Sequence, residues 1–192
     1  REKGAGFELA SEQAVLRGLL ATGLAVGPDG ALYIADWIEG WGLKEKGRIW
    51  KLDAPAAAAS PLRAETKALL AEDFGRRSEQ SLRDLLGHPD MRVRLKAQFE
   101  LADRGAAREL LAAARQGQNR LARLHGLWGI GQLARRALSQ ARPLVEFLTD
   151  GDAEVRAQAA KVIGDVRYAA AADALVPMLR DSSPRVRFFA AE

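Results

Sequence analysis

Hydrophobic and polar positions follow two different rhythms along this chain. Over roughly residues 6–53 the period is two: Arg48-Ile49-Trp50-Lys51-Leu52 alternates, and Ala31-Leu32-Tyr33-Ile34-Ala35 is rich in β-formers. Ahead of the latter, after a strand-like stretch at 21–26, stands Gly27-Pro28-Asp29-Gly30, where proline presets a turn and glycine supplies positive φ. A polar, Gly-rich stretch over 40–47 separates the last two strands. The pattern predicts a short antiparallel meander over 1–53. Residues 54–65, with Pro55 and Pro61 bounding small residues, read as a linker. Beyond it, over 66–192, the apolar spacing becomes three and four, which is helical.

The helical part repeats itself. Gapless alignment superposes four segments that begin at Asp90, Asn119, Asp152 and Ser183. Each of these residues suits the N-cap position, where a side-chain oxygen takes up free amides of the first turn. Pro184 follows Ser183 at the one helical position where a missing amide costs nothing. Three residues past the cap stands Val93, Ala122, Val155 or Val186, and four further on Ala97, Gly126, Ala159 or Ala190. These small residues share one helix face and allow another helix to approach closely. Apolar helical stretches at 81–86, 107–114, 138–148 and 170–179 precede the capped helices. Turns at 87–89, 116–118, 149–151 and 181–182 join the two helices of each pair. Stacked pairs of this length predict an α-solenoid.

One column is the same residue in all four units: Arg94, Arg123, Arg156 and Arg187, each four positions after its cap. The pairs Asp90/Arg94 and Asp152/Arg156 have the acid-first (i, i+4) order that favours a local ion pair, and in a stack the same side chains could reach the cap or loop of the neighbouring repeat. We read the eight residues Asp90, Arg94, Asn119, Arg123, Asp152, Arg156, Ser183 and Arg187 as a structural ladder in preference to a ligand-binding row. Six positions after each cap stand Lys96, His125, Gln158 and Phe189, which are expected to point outward and form an interaction surface. The unit at Asn119 departs most, with Gly126, Gly129 and Gly131 around Trp128; its second helix is either locally weakened or very closely packed.

The segments Leu85–Ala97, Leu148–Ala160 and Leu179–Ala191, each with Val-Arg in the capped helix and small residues following, resemble HEAT repeats of the short bacterial kind over roughly residues 78–192. The implied fold class is mostly α, a short HEAT-like α-solenoid of helix pairs preceded by a small antiparallel β-meander, with the last repeat cut short. Gly27-Pro-Asp-Gly-Ala-Leu-Tyr-Ile-Ala-Asp-Trp37 and Lys46-Gly-Arg-Ile-Trp-Lys-Leu52 resemble the closing propeller blade of bacterial quinoprotein sugar and sorbosone dehydrogenase-like proteins. That resemblance implies a parent built as propeller, repeats and often a c-type cytochrome module. It would place such a parent in the periplasm or outside the cell.

Composition narrows the chemistry. There is no cysteine among the 192 residues, which excludes disulfides, thiolate zinc sites, iron–sulfur clusters and attached c-type haem from them. No apolar run reaches the roughly 20 residues of a membrane span. Residues 61–192 hold 22 basic and 17 acidic side chains, an excess that admits nucleic acid as a partner, although acids are interspersed and stacking aromatics are few. Asp36, Trp37 and Glu39 end a strand where propellers place ligands, but one blade does not assemble such a site. His88 and His125 have no metal or triad partners in their spacing, and His125 is expected at a solvent-facing position. The glycines at 126–131 lie in a helix and not after a strand, so they are not a dinucleotide loop. No cofactor is expected within these residues. The reading is a non-catalytic fragment, a helical-repeat scaffold for a protein partner or for other domains of its parent. The alternatives are a spacer in a periplasmic quinoprotein or haem-linked dehydrogenase, and a nucleic-acid-binding module.

Overall fold

The computed structural model describes residues 1–38, 46–115 and 119–192. Glu39, most of the polar loop expected over 40–47, and the turn expected at 116–118 lie outside the described residues. The chain opens with a two-stranded hairpin, β1 (Glu2–Lys3) and β2 (Gly6–Phe7). Contacts divide the chain into two units: Arg1–Ala10 groups with Asp73–Glu192, and Ser11–Glu72 stands as the other.

Within Ser11–Glu72 three antiparallel strands lie in chain order, β3 (Ala21–Val26), β4 (Leu32–Asp36) and β5 (Arg48–Leu52). The Gly27–Gly30 turn closes as its residue types demand: the Gly30 amide donates to the Gly27 carbonyl at 2.9 Å, and Gly30 sits at φ 76°. Asp29 secures it, accepting from the Ala31 amide and the Tyr33 hydroxyl, while Lys51 beside it holds its carboxyl well below the usual range. Asp36 is buried and accepts from the Trp50 indole and the Leu20 amide, both at 2.9 Å. Those bonds, the indole's first, lower its pKa and tie β5 and the segment before β3 to the central strand. The stretch expected as linker holds a 3-10 turn, Pro55–Ala57, and the start of a helix, α1 (Pro61–Ala71), with Pro61 at its first position.

The larger unit is a stack of helix pairs. Its second helices run from the four expected caps: α3 (Met91–Asp103), α5 (Arg120–Arg136), α6 (Ala153–Asp165) and α8 (Pro184–Ala191). The first helices are less uniform. Ahead of α3 lies α2 (Glu79–Leu85), and ahead of α5 lies α4 (Ala107–Arg115). The helices expected at 138–148 and 170–179 form differently: the former is a 3-10 run, Leu138–Thr149, and the latter a short α7 (Ala172–Leu175) flanked by 3-10 segments. Pro143 and Pro177 stand inside these stretches, and each removes an amide and crowds the preceding turn, so regular α geometry gives way. Leu82, Leu86, Val93, Ala97, Leu101, Leu110, Leu127, Ile130, Leu144, Val155, Ile163 and Val186 form the continuous core of the stack.

The glycines of α5 mark close packing, not weakness. A Cβ built on Gly126 would lie 2.5 Å from the Leu110 carbonyl oxygen and 2.7 Å from the Ala114 amide nitrogen, both backbone atoms of α4. On Gly131 it would lie 2.6 Å from Val162 of α6. The two antiparallel helices of this pair therefore meet backbone to backbone. Gly126→Ala is expected to destabilise the fold by about 2–3 kcal/mol, since the contacting atoms are main chain and cannot rotate away. Gly164→Ala in α6, where an added Cβ meets nothing within 4 Å, is expected to raise stability by ~0.5 kcal/mol through helix propensity. Urea denaturation of both variants measures the contrast.

Candidate functional site

The repeated turns are built around the arginine column. Arg94 Nη1 donates to the carbonyls of His88 (2.7 Å) and Pro89 (2.8 Å), Arg156 Nη1 to those of Asp150 (2.8 Å) and Gly151 (3.3 Å), and Arg187 Nη1 to those of Asp181 (2.6 Å) and Ser182 (3.1 Å). In each case the two carbonyls lie six and five residues before the arginine, so one guanidinium nitrogen closes its own turn. Arg123 Nε donates to Ala114 at 2.9 Å. The rest of the guanidinium reaches forward. Arg156 Nε and Nη2 meet the Asp181 carboxylate at 2.9 Å each, and Arg123 meets the Asp150 carboxylate in the same bidentate way.

Asp150 and Asp181 each stand two residues before a cap, and each also accepts the amide of that cap residue, Asp152 and Ser183, at 2.8 Å. His88 occupies the same column in the first unit, its Nδ1 accepting the Asp90 amide at 3.0 Å. The sequence reading missed this column, although Asp-x-Asp and Asp-x-Ser before the capped helices announce it.

Three expectations are corrected. Asp90 does not pair with Arg94: its carboxylate caps the Arg92 amide and binds the Arg92 guanidinium at 2.7 Å, because both lie within reach of the first turn. Asp152 likewise caps Glu154 at 2.8 Å and leaves Arg156 to Asp181. Ser183 makes no side-chain cap bond; Pro184 presets the first turn and the Ser183 amide is held by Asp181. Asn119 caps the Ala122 amide at 3.1 Å and also donates to the Gly87 carbonyl of the preceding turn at 3.1 Å.

The expected outward surface is also corrected in part. His125 is 2% exposed, with Nε2 accepting from Arg94 Nε at 3.0 Å and Nδ1 2.7 Å from Gln98 Oε1. Gln158 is buried between the Trp128 indole, which donates to it at 2.9 Å, and Glu154. A second helix of a stack is flanked by both neighbouring pairs, so only a narrow strip of it meets solvent, and the sixth position after the cap faces a neighbour. Lys96 lies over the Phe74 ring, 4.4 Å from its centroid, and Phe189 is half-buried beside Phe188. The four residues do not form one surface.

Among the recesses of this unit is a cavity of about 170 Å³ lined by Gln98, Trp128, Gln132, Arg135, Val162 and Asp165, with Gly131 also at its wall. Gln98 donates to Gln132 Oε1 at 3.1 Å across it. Among the described residues no group of three or more His, Asp or Glu side chains could hold a metal ion, and no helix is long and apolar enough to cross a membrane.

Residues 107–192 match the family model for HEAT repeats. No curated protein matches the chain. The fold is a short HEAT-like α-solenoid preceded in sequence by small antiparallel sheets. The match begins at α4 and does not reach the strands, so their likeness to a propeller blade rests on sequence alone.

Within the HEAT-like stack the charges of the turns depend on their neighbours. The Arg156 bond holds the Asp181 carboxyl below its ordinary value, and Asp181 in turn raises Arg156. Burial works to raise Asp150, but Arg123, the Asp152 amide and the charge of Arg156 outweigh it. These carboxylates stabilise the fold above the ordinary carboxylate pKa, and the contribution is lost as pH falls through the lowered folded value. Arg94 differs. The residue that would supply its forward carboxylate is Gly117, two before Asn119, and Arg94 turns to His125 instead. Burial lowers the Arg94 pKa, with the Asp90 charge opposing.

Arg156→Ala is expected to cost about 2 kcal/mol, since it opens a charged bidentate pair and two turn carbonyls. Arg120→Ala is expected to cost below ~0.5 kcal/mol, because Arg120 is 64% exposed and 4.0 Å from Asp152. Equal melting temperatures would refute the ladder. Burial, and then the Arg94 charge, push His125 from 6.5 down to about 4. The unfolded chain takes up a proton at His125 that the folded chain refuses, so stability declines as pH falls from 6.5 toward 4. Unfolding free energies measured across that window are expected to show a shallower slope in His125→Asn.

Proposed function

We propose that this chain is a non-catalytic scaffold that binds a protein segment, from a partner or from another domain of its parent, along the open strip of α3, α5 and α6. The observation that carries this reading is the cleft at Trp128. Its residues are not repeated from unit to unit, whereas the turn arginines are, which separates a specific surface from a structural one. Gln132 accepts from Gln98 and keeps its own amide hydrogens for a peptide carbonyl, Trp128 offers an apolar wall, and Arg135 offers a cation at the rim. HEAT-like repeats commonly serve as interaction scaffolds, which supports the same reading.

The basic excess does not favour nucleic acid. The arginines of the repeated column are committed to turn carbonyls and carboxylates, so they do not form a row of free phosphate contacts. As a second reading, the order of blade-like strands followed by repeats supports a spacer role within a secreted quinone- or haem-linked dehydrogenase; further blades encoded upstream would support it and their absence would remove it.

A photo-crosslinking residue placed at position 135 is expected to give a discrete protein adduct in extracts of the source cells, lost on Gln132→Ala. The same residue at position 108, 94% exposed on α4, is expected to give none. Equal adducts from both positions would overturn the proposal, as would a salt-dependent gel shift with duplex DNA in place of any protein adduct.

A further inference from the structure

The cleft at Trp128 is supplied with hydrogen-bond donors from deep within the stack. Arginine has no acceptor atom, so the Arg94 Nε–H, 3.0 Å from His125 Nε2, makes that ring nitrogen an acceptor. Burial keeps the ring neutral, so its one proton sits on Nδ1 and goes to Gln98 Oε1 at 2.7 Å. With its oxygen fixed there, the buried Gln98 turns its amide nitrogen to Gln132 Oε1 at 3.1 Å. Gln132 is thereby oriented too. Its oxygen is engaged, and its amide hydrogens are left to the cleft that it lines. A donor-only guanidinium thus sets the direction of three successive side chains.

The donor is particular to the second unit. Thirteen residues after their caps the first and third units carry Asp103 and Asp165, and the second carries Gln132. Those two carboxylates are already engaged, Asp103 by Arg136 at 2.6 Å and Asp165 by Lys161 at 2.7 Å. Arg135 is exposed at the cleft, and among the described residues neither its guanidinium nor the Gln132 amide nitrogen meets an acceptor. Beside these two open donors stand Val162 and the Trp128 ring, whose indole nitrogen is committed to Gln158 at 2.9 Å. The volume of about 170 Å³ is well below the roughly 300–1,000 Å³ of small-molecule pockets, so the recess takes a single side chain.

We infer that the cleft receives an acidic side chain of the bound protein segment, its carboxylate between Gln132 Nε2 and the Arg135 guanidinium and its aliphatic stem against Trp128. The inference rests on the scaffold reading and adds the chemistry of the segment. A backbone carbonyl would meet the Gln132 amide and leave Arg135 without a partner, whereas a carboxylate accepts from both. A phosphate is a poorer occupant. It brings about two negative charges against one open cation, with the Asp165 carboxylate at the same wall.

Random peptides displayed on phage and selected on the chain are expected to enrich Asp or Glu. The selected peptides should lose about tenfold or more in affinity when that acid is replaced by its amide, and again when the cleft carries Arg135→Glu. Arg135 is exposed, so this variant reads the cleft in a folded chain. Gln132→Glu keeps an oxygen for Gln98 and puts a second in place of the amide nitrogen, and is expected to weaken acidic peptides by a similar factor. Nitrogen NMR of His125 at neutral pH should find its proton on Nδ1; a proton on Nε2 would reverse the order of donors and overturn the inference. Peptides whose binding is lost on Gln132→Ala, yet which carry no acid or bind Arg135→Glu equally well, would overturn it and leave the scaffold reading standing. Tighter binding when phosphoserine replaces the acid would overturn it as well. If no selected peptide depends on Gln132, the scaffold reading at this cleft falls with it.

Discussion

The second and third units of the stack each depend on one guanidinium meeting two needs at once. A tight turn between helices leaves carbonyls that no helix can satisfy, and a buried carbonyl without a donor is costly. The arginine four residues into the next helix brings rigid, forked donors back to those carbonyls, as at His88 and Pro89 or Asp150 and Gly151. The charge it brings into a half-buried place is met by the aspartate of the following turn, which also receives the amide at its own cap. Turn closure, charge compensation and inter-unit adhesion are therefore one arrangement. Each unit leans on the next, which is the nearest-neighbour coupling of a solenoid expressed in specific atoms.

The exception explains itself in the same terms. Arg94 has no forward aspartate, because Gly117 stands in that column, and its guanidinium is buried against His125. A neutral imidazole can accept from arginine only while it stays neutral, so the junction between the first and second units carries a neutral acceptor where the later junctions carry a carboxylate. The second unit compensates by geometry. Its glycines bring α5 onto the backbone of α4, and Asn119 reaches back to the Gly87 carbonyl. Where the turn arginine has no carboxylate to meet, the Asn119 amide and the ion pairs Arg83–Glu109 at 2.8 Å and Arg136–Asp103 at 2.6 Å join the two units.

How much of this could be read from the sequence depended on whether the cause was local. Caps at Asp90, Asn119 and Asp152 are decided within three residues, and they form as expected. The arginine column was visible because it repeats, and a reach to the neighbouring repeat stood open beside a local pair, but nothing in the sequence decided between the two. A local Asp90/Arg94 pair looks favourable in an isolated helix and loses here, since Arg92 is nearer to Asp90 and the turn carbonyls claim Arg94. The burial of His125 and Gln158 was hidden for a different reason. Their exposure is set by two flanking helices from other units, and periodicity along one helix does not report how wide a strip its neighbours cover. Pro143 and Pro177 stood in plain view, yet their effect, a 3-10 path in place of an α-helix, emerges only when the segment must still pack against α6 and α8.

The turn arginines are held by carbonyls and by the carboxylates of Asp150 and Asp181, so they do the same work from unit to unit and carry no specificity. Specificity then has to come from positions that differ between units. Gln98, Trp128 and Gln132 are such positions, and they meet where α3, α5 and α6 leave a cleft with Gly131 at its wall. The same Gly131 that lets α6 approach α5 keeps a side chain out of that cleft, so the packing of the second unit against the third also shapes a recess whose chemistry is not repeated.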